Sequence, residues 1–189
     1  MSVIVFFAAA RDADIDDLVA HPERFARFMF GGELIFESSE ERANWFRGGI
    51  PPKSLQNASP PRTCDIDKAW DAIHYLLSKG DGDGLLRFVK EGGTLILKPK
   101  RKKQPRQGEI ARGFWSGEVR RLREALQPIT SSELAQRCDL RELTAAGLYP
   151  FGDRWDQQDI EYVLHWYQTM KKFICQTADQ GMGLLVGVS

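Results

Sequence analysis

The chain has 189 residues, and its 26 basic residues balance its 26 acidic residues. This length suits one domain, and an apolar content of 42% excludes a chain that is disordered throughout. The longest apolar run, Val3 to Ala10, has eight residues and is too short to span a membrane. Because charged residues follow this run at once, it is also a poor signal peptide, and we expect a cytoplasmic protein.

The hydrophobic pattern predicts apolar strands near the two ends of the chain and helices between them. In the first half of the chain, the predicted elements are a strand at 3–10, helices at 14–20 and 22–30, a surface loop at 48–63, helices at 66–78 and 85–89, and a strand at 93–97. A basic loop at 98–110 and a helix at 117–127 follow. Next come two short helices, the first capped by Ser131 or Ser132 and the second by Asp139. A long helix at 156–180 and a strand at 184–188 end the series. We expect the last strand to pair with the first. Residues 1–189 are therefore predicted to form a single α+β domain with a small mixed sheet.

The three cysteines, Cys64, Cys138 and Cys175, are odd in number and far apart in the sequence. This pattern disfavours both a disulfide framework and a cysteine-rich metal site, so we expect buried free thiols. We predict no metal and no cofactor.

The predicted long helix carries apolar residues around most of its circumference, with Lys171 as the one charge inside the apolar arc. A lysine in such a place usually lays its stem along the core and lifts its ammonium group to water. The alternative is a functional cation in a pocket, which makes Lys171 a binding candidate.

The zero net charge hides an uneven layout. The window from Lys98 to Arg123 has ten basic and two acidic residues, so it carries +8 and the rest of the chain carries −8. Its densest part contains Lys98, Lys100, Arg101, Lys102, Lys103 and Arg106. With no aromatic residue among these cations, the run is a poor nucleic-acid surface. A solvated, mobile loop is the simplest interpretation, and binding of phosphate or an acidic partner is the alternative.

The helix at 66–78 holds the best candidates for catalysis. Asp67 and His74 lie side by side at the edge of its buried arc, and Asp71 is three residues before His74. A histidine with a carboxylate in reach suits acid–base catalysis, although a structurally tethered histidine has the same pattern. Metal binding here would need a third ligand from elsewhere in the chain.

The same segment resembles a known family. Asp65-Ile-Asp-Lys-Ala-Trp70, followed by Ile73-His-Tyr-Leu-Leu77, closely resembles the hallmark segment of the YfbM-like bacterial proteins, a domain of unknown function (number 1877). Ala111-Arg-Gly-Phe-Trp-Ser-Gly-Glu-Val119 and Leu148-Tyr-Pro150 resemble later landmarks of that family, although the proline of the first landmark is missing. The chain also departs from the family in lacking a Met-Gly-Met start and in its basic loop.

The resemblance implies a single bacterial α+β domain and brings no established activity with it. The positions that match the family motifs are Asp65, Asp67, Lys68, Trp70, His74, Arg112, Tyr149 and Pro150. The structural alternative makes Asp65 a helix cap, Trp70 a core anchor and Tyr149 an aromatic residue that closes a turn.

The sequence favours a non-enzymatic module that binds a protein partner of acidic character. An immunity-type inhibitor of a toxin is one such module, by analogy alone. The uneven charge and the lack of standard catalytic motifs motivate this hypothesis. The alternative is a small enzyme that uses Asp67 or Asp71 with His74. Nucleic-acid binding through the basic loop is a third, disfavoured hypothesis, and we expect no membrane partner.

Overall fold

The computed structural model describes residues 3–33, 35–49, 51–55, 58–79, 81–82, 84–98 and 110–188. The helices are α1 (Asp12–Ala20), α2 (Phe25–Phe30), α3 (Ser39–Phe46), α4 (Trp70–Ser78), α5 (Ser116–Leu126), α6 (Ser131–Gln136), α7 (Leu140–Ala146) and α8 (Gln157–Asp179). The strands are β1 (Val5–Ala10), β2 (Thr63–Asp65), β3 (Thr94–Leu97), β4 (Ile110–Phe114) and β5 (Gly183–Val188). Short 3-10 helices cover Pro22–Arg24, Lys53–Leu55, Asp67–Ala69 and Leu85–Arg87. Within the described ranges, no helix is both long and apolar enough to cross a membrane.

The five strands form one sheet in the order β2-β1-β5-β4-β3. The predicted α+β fold is confirmed, and the last strand pairs with the first, from Val5 opposite Val188 to Ala10 opposite Gly183. The prediction of a mixed sheet is wrong, because all four strand pairings are antiparallel. Each strand therefore runs opposite to its neighbours in the sheet.

The two faces of the sheet are packed differently. Phe7, Phe114 and Val186 belong to a large core that includes residues of α4, α5 and α8. On the other face, Ala8, Ala111 and Leu185 pack with Ile15 and other residues of α1 in a smaller core. The small side chains on this second face allow α1 to lie close to the strands. The domain therefore has its main core under the long helix α8.

Local capping signals place several helices correctly. Asp139 accepts hydrogen bonds from backbone N–H groups of α7, and Asp156 does the same for α8. Other caps differ by one or a few residues: Thr130, rather than Ser131 or Ser132, caps α6, and Arg11, rather than Asp14, stands at the N-cap of α1. The sequence prediction contained no α3, β2 or β4, and β4 is an inner strand of the sheet.

The close approach of α1 to the sheet gives a test of this packing. A Cβ atom on Gly183 would lie 2.6 Å from the carbonyl oxygen of Phe114 and would also meet Ile15. We therefore expect Gly183→Ala to lower the free energy of unfolding by about 1–3 kcal/mol, the range typical of overpacking. Urea denaturation followed by circular dichroism measures this change.

The matched control is Gly117→Ala in the first turn of α5, where nothing lies within 4 Å of the added Cβ atom. It should leave stability unchanged or raise it slightly, because alanine favours helix. Equal losses of stability in the two variants would contradict the proposed packing.

Candidate functional site

The family motif begins with a tight turn between β2 and α4. Asp67 has a φ of 45°, in the left-handed region that residues other than glycine rarely adopt. Its backbone N–H donates to Oδ1 of Asp65 at 3.1 Å, which stabilises the turn. Asp65 ends β2 and is therefore not the predicted helix cap: Ile66 stands at the N-cap of the following 3-10 helix and Ala69 at that of α4, and Asp65 instead stabilises the turn.

Tyr162 of α8 holds this turn from the other side. Its hydroxyl donates to Oδ2 of Asp67 at 2.7 Å and accepts from the backbone N–H of Lys68 at 3.2 Å. Burial, together with the hydrogen bond to Asp67, raises the pKa of Tyr162 to about 12, so the hydroxyl stays a neutral donor. The Asp67 carboxylate is therefore engaged in joining α8 to the start of α4.

Trp70 and Asp71, at the start of α4, bind two distant parts of the chain. The Trp70 indole donates to the carbonyl of Val3 at 2.9 Å, and its ring lies 5.8 Å from that of Tyr149. Asp71 accepts from the backbone N–H of Tyr149 at 3.0 Å and forms an ion pair with Lys90. Tyr149 precedes a cis proline, so Asp71 anchors this turn. These contacts agree with structural roles for Trp70 and Tyr149.

His74 is not hydrogen-bonded to either aspartate, although Asp71 is near enough to act on it electrostatically. Its side chain is 13% exposed, its Nε2 is 3.9 Å from Oε1 of Glu91, and its buried Nδ1 has no hydrogen-bond partner. Burial lowers the pKa of His74, and the nearby Lys90 lowers it further. No hydrogen bond joins His74 to Asp67 or Asp71, because these carboxylates are held by Tyr162, Tyr149 and Lys90. The acid–base pair of the enzymatic hypothesis is therefore not assembled.

Arg112 is a buried cation on β4. It is 6% exposed, and its Nη2 donates to the carbonyl of Val89 at 2.9 Å, while its Nε has no acceptor. Burial lowers the pKa of this guanidinium, and Glu91 opposes that effect. The sequence marked Arg112 only through the family motif, because an arginine beside a glycine gives no sign of an inner strand.

The remaining candidate cations have separate environments. Lys171 donates to the carbonyl oxygens of Gln127 at 3.0 Å and Ile129 at 2.7 Å, so it binds the chain after α5. Lys98 is exposed at the end of β3. The other residues of the basic loop, Lys100, Arg101, Lys102, Lys103 and Arg106, lie outside the described residues.

The cysteines are free and partly buried, and burial raises the pKa of Cys64 to about 11. In the part of the chain that the structure describes, no group of three or more His, Cys, Asp or Glu side chains could hold a metal ion. The structure therefore supplies no metal centre among these residues.

A groove of about 940 Å³ lies on the face of the sheet that carries α1 and α2, and we name it the arginine groove. Its lining residues are Ala9, Arg11, Asp14, Asp17, Leu18, Arg24, Arg27, Phe28, Gly31, Gly32, Ser59, Pro60, Pro61 and Met182. The three arginines are each paired with a carboxylate: Arg11 with Asp14 at 2.7 Å, Arg24 with Asp17, and Arg27 with Glu33 at 3.3 Å. The groove thus combines exposed guanidinium groups with apolar side chains.

One wall of the groove is fixed by Arg62, which follows Pro60 and Pro61. Its guanidinium lies 4.4 Å from the ring centre of Phe173 and donates to the Thr177 hydroxyl at 2.9 Å. Its carbonyl accepts from the N–H of Ala9 at 2.9 Å. Sequence reasoning did not find this groove, because its residues come from three separate segments. Its one local signal was a group of acidic residues at 12–23 between Arg11 on one side and Arg24 and Arg27 on the other.

The environment of His74 predicts a pH-dependent stability. Since burial lowers its folded-state pKa below the ordinary value near 6.5, the unfolded chain takes up a proton first as the pH falls. Well above pH 6.5, His74 is neutral in both states and does not affect the free energy of unfolding. Below this pH, protonation of His74 in the unfolded chain lowers the free energy of unfolding. We expect the NMR titration of the His74 imidazole to give a pKa under 6.5.

Urea denaturation at about pH 7.5 and about pH 5.5 tests the consequence for stability. We expect His74→Gln to lose less stability than the wild type between the two values. His165→Gln, which removes an exposed imidazole from α8, is the control variant. A His74 pKa at or above 6.5 would contradict the buried environment described here.

A solved structure shares the fold of this chain, and a family model matches its sequence. The crystal structure of YfbM from Escherichia coli, a protein of unknown function, is similar with a TM-score of 0.57 and 15% sequence identity, over 98% of this chain and 99% of that chain. At this identity the likeness shows the fold alone. No curated protein matches. The family model DUF1877, a domain of unknown function, matches residues 1–187. Because this match spans nearly the whole chain and agrees with the motif at 65–77, the protein belongs to the DUF1877 family, the YfbM-like proteins.

Proposed function

We propose that this protein is a non-enzymatic module that binds an acidic segment of a partner protein in the arginine groove. The observation that carries the proposal is the set of three exposed arginines around apolar side chains. Arginine and aromatic residues are enriched at protein interfaces, where an apolar centre is surrounded by polar groups. The groove has this composition, with Phe28 among its apolar side chains.

The ion pairs in the groove favour an acidic occupant. Arg24 and Arg27 are 50% and 67% exposed, and their carboxylate partners Asp17 and Glu33 are 44% and 61% exposed. Exposed pairs of this kind contribute little to stability. Carboxylates of a partner can therefore replace the internal ones at small cost and form bidentate hydrogen bonds with the guanidinium groups.

The contacts of the family motif support binding over catalysis. Asp67 joins α4 to α8 through Tyr162, and Asp71 holds the turn at Tyr149. An acid–base catalyst would need a carboxylate and an imidazole directed at one substrate position. Since both carboxylates have structural partners of their own, we infer that the motif serves to position helices.

More specifically, we propose that the partner is a bacterial toxin and that this protein inhibits it, as an immunity protein does. Such inhibitors bind one partner through charge complementarity, which also speeds their association. The proposal expects the partner gene to neighbour this gene in a bacterial genome, and co-expression to relieve the toxicity of its product. Neighbouring genes that encode no toxin and no secreted protein would count against this form.

Selection from a display library of random peptides, about 12 residues long, tests the groove directly. We expect the enriched peptides to be acidic with at least one large apolar residue. The double variant Arg24→Glu, Arg27→Glu should weaken their binding at least about tenfold, with a loss of affinity at higher salt. Fluorescence anisotropy measures both effects.

The control is the double variant Arg120→Glu, Arg121→Glu on α5, which reverses two exposed arginines outside the groove. It has the same change in net charge and should bind the peptides much as the wild type does. Equal losses in the two double variants would mean that net charge, rather than the groove, determines binding.

A further inference from the structure

The buried arginine on β4 lacks the partners that a buried cation requires. Arg112 is 6% exposed, yet within the described part of the chain its guanidinium makes one hydrogen bond, from Nη2 to the carbonyl of Val89, and its Nε has no acceptor. Among the described residues, no carboxylate lies within ion-pair distance of it. A buried charge without a counter-ion strongly destabilises a fold unless an anion binds beside it.

The imidazole of His74 is a second buried polar group near the same place. The Nδ1 atom of His74 is buried without a partner, and Nε2 is 3.9 Å from Glu91. Glu91 also acts electrostatically on Arg112 and is 3.9 Å from Arg87. Arg112 and His74 therefore both contact the segment from Val89 to Glu91: Arg112 donates to the Val89 carbonyl, and the Nε2 atom of His74 lies 3.9 Å from the half-exposed Glu91.

The charges around Glu91 leave positive potential in excess. Arg87, Lys90 and Arg112 face two carboxylates, Glu91 and Asp71. Asp71 is already engaged by Lys90 and by the Tyr149 backbone. Glu91 is half-exposed and contacts His74 and Arg87 at 3.9 Å, longer than a hydrogen bond, so an entering anion can displace it.

We propose that Arg112 and His74 form a binding site for a small oxyanion, a carboxylate or phosphate group, which displaces Glu91 from their vicinity. A guanidinium group presents N–H donors in a planar arrangement that matches such oxyanions. Successive residues of a strand point to opposite faces of the sheet, and Gly113 lies against Ile15 of α1. Arg112 therefore lies on the other face, which carries α4 and α8. The site is thus separate from the arginine groove and does not depend on the proposed function.

Titration with inorganic phosphate, followed by NMR of the arginine Nε–H and histidine ring signals, tests the site. We expect phosphate to shift the Arg112 and His74 signals in a saturable manner and to raise the melting temperature. A parallel titration with acetate distinguishes a carboxylate site from a phosphate site by which anion saturates at lower concentration. No shift with either anion would overturn the proposal.

Glu91→Gln removes the competing carboxylate at an exposed position and should tighten anion binding several-fold. Glu124→Gln on the exposed side of α5 is the matched control and should leave binding unchanged. His74→Gln, which keeps the Arg112 guanidinium, should weaken binding and remove the effect of phosphate on the melting temperature. If Glu91→Gln destabilises the protein and abolishes the response to both anions, Glu91 is the counter-ion of Arg112 and the proposal is wrong.

Discussion

The antiparallel pairing of β1 with β5 is the interaction on which the rest of the molecule depends. These strands pair over six positions in the middle of the sheet, and β2 and β4 attach to their outer edges. Forming the pair brings together residues 173 to 183 positions apart, from Ala10 with Gly183 to Val5 with Val188, which costs loop-closure entropy. Both faces of the pair are covered by helices. The domain is therefore expected to fold as one cooperative unit, since this central pair joins β2 on one side of the sheet to β4 and β3 on the other.

The contacts of the family motif follow from this architecture. Once the pair exists, α8 leads directly into β5 and β2 lies beside β1, so Tyr162 meets the turn at Asp67 and Lys68. Trp70 reaches back to Val3, just before β1. The residues that distinguish the family thus join the two ends of the chain to the start of α4. The carboxylates of Asp67 and Asp71 are used in these joints rather than in a hydrogen bond to His74.

The sequence predicted those features that local signals determine. The apolar runs of β1 and β5, the caps at Asp139 and Asp156, and the length of α8 are all encoded within a few residues of where they occur. The strand β4 was missed because Arg112 and Gly113 have low strand propensity and are accepted there by tertiary packing. For the candidate site, helical spacing placed Asp71 near His74, but it could not reveal that Asp71 binds a backbone group 78 residues away. The arginine groove was not predicted either, because segments that are distant in the sequence form it.

The anchoring of Arg62 has a consequence for how the arginine groove meets a partner. The loop with Pro60 and Pro61 is held between β1 and α8, and two consecutive prolines further restrict its backbone. Little conformational entropy then remains to be lost from this wall when a partner binds. In the proposed function, the groove is a preorganised surface. The association rate of the complex is then set by the attraction between opposite charges, and the lifetime of the complex is set by the packing of apolar side chains.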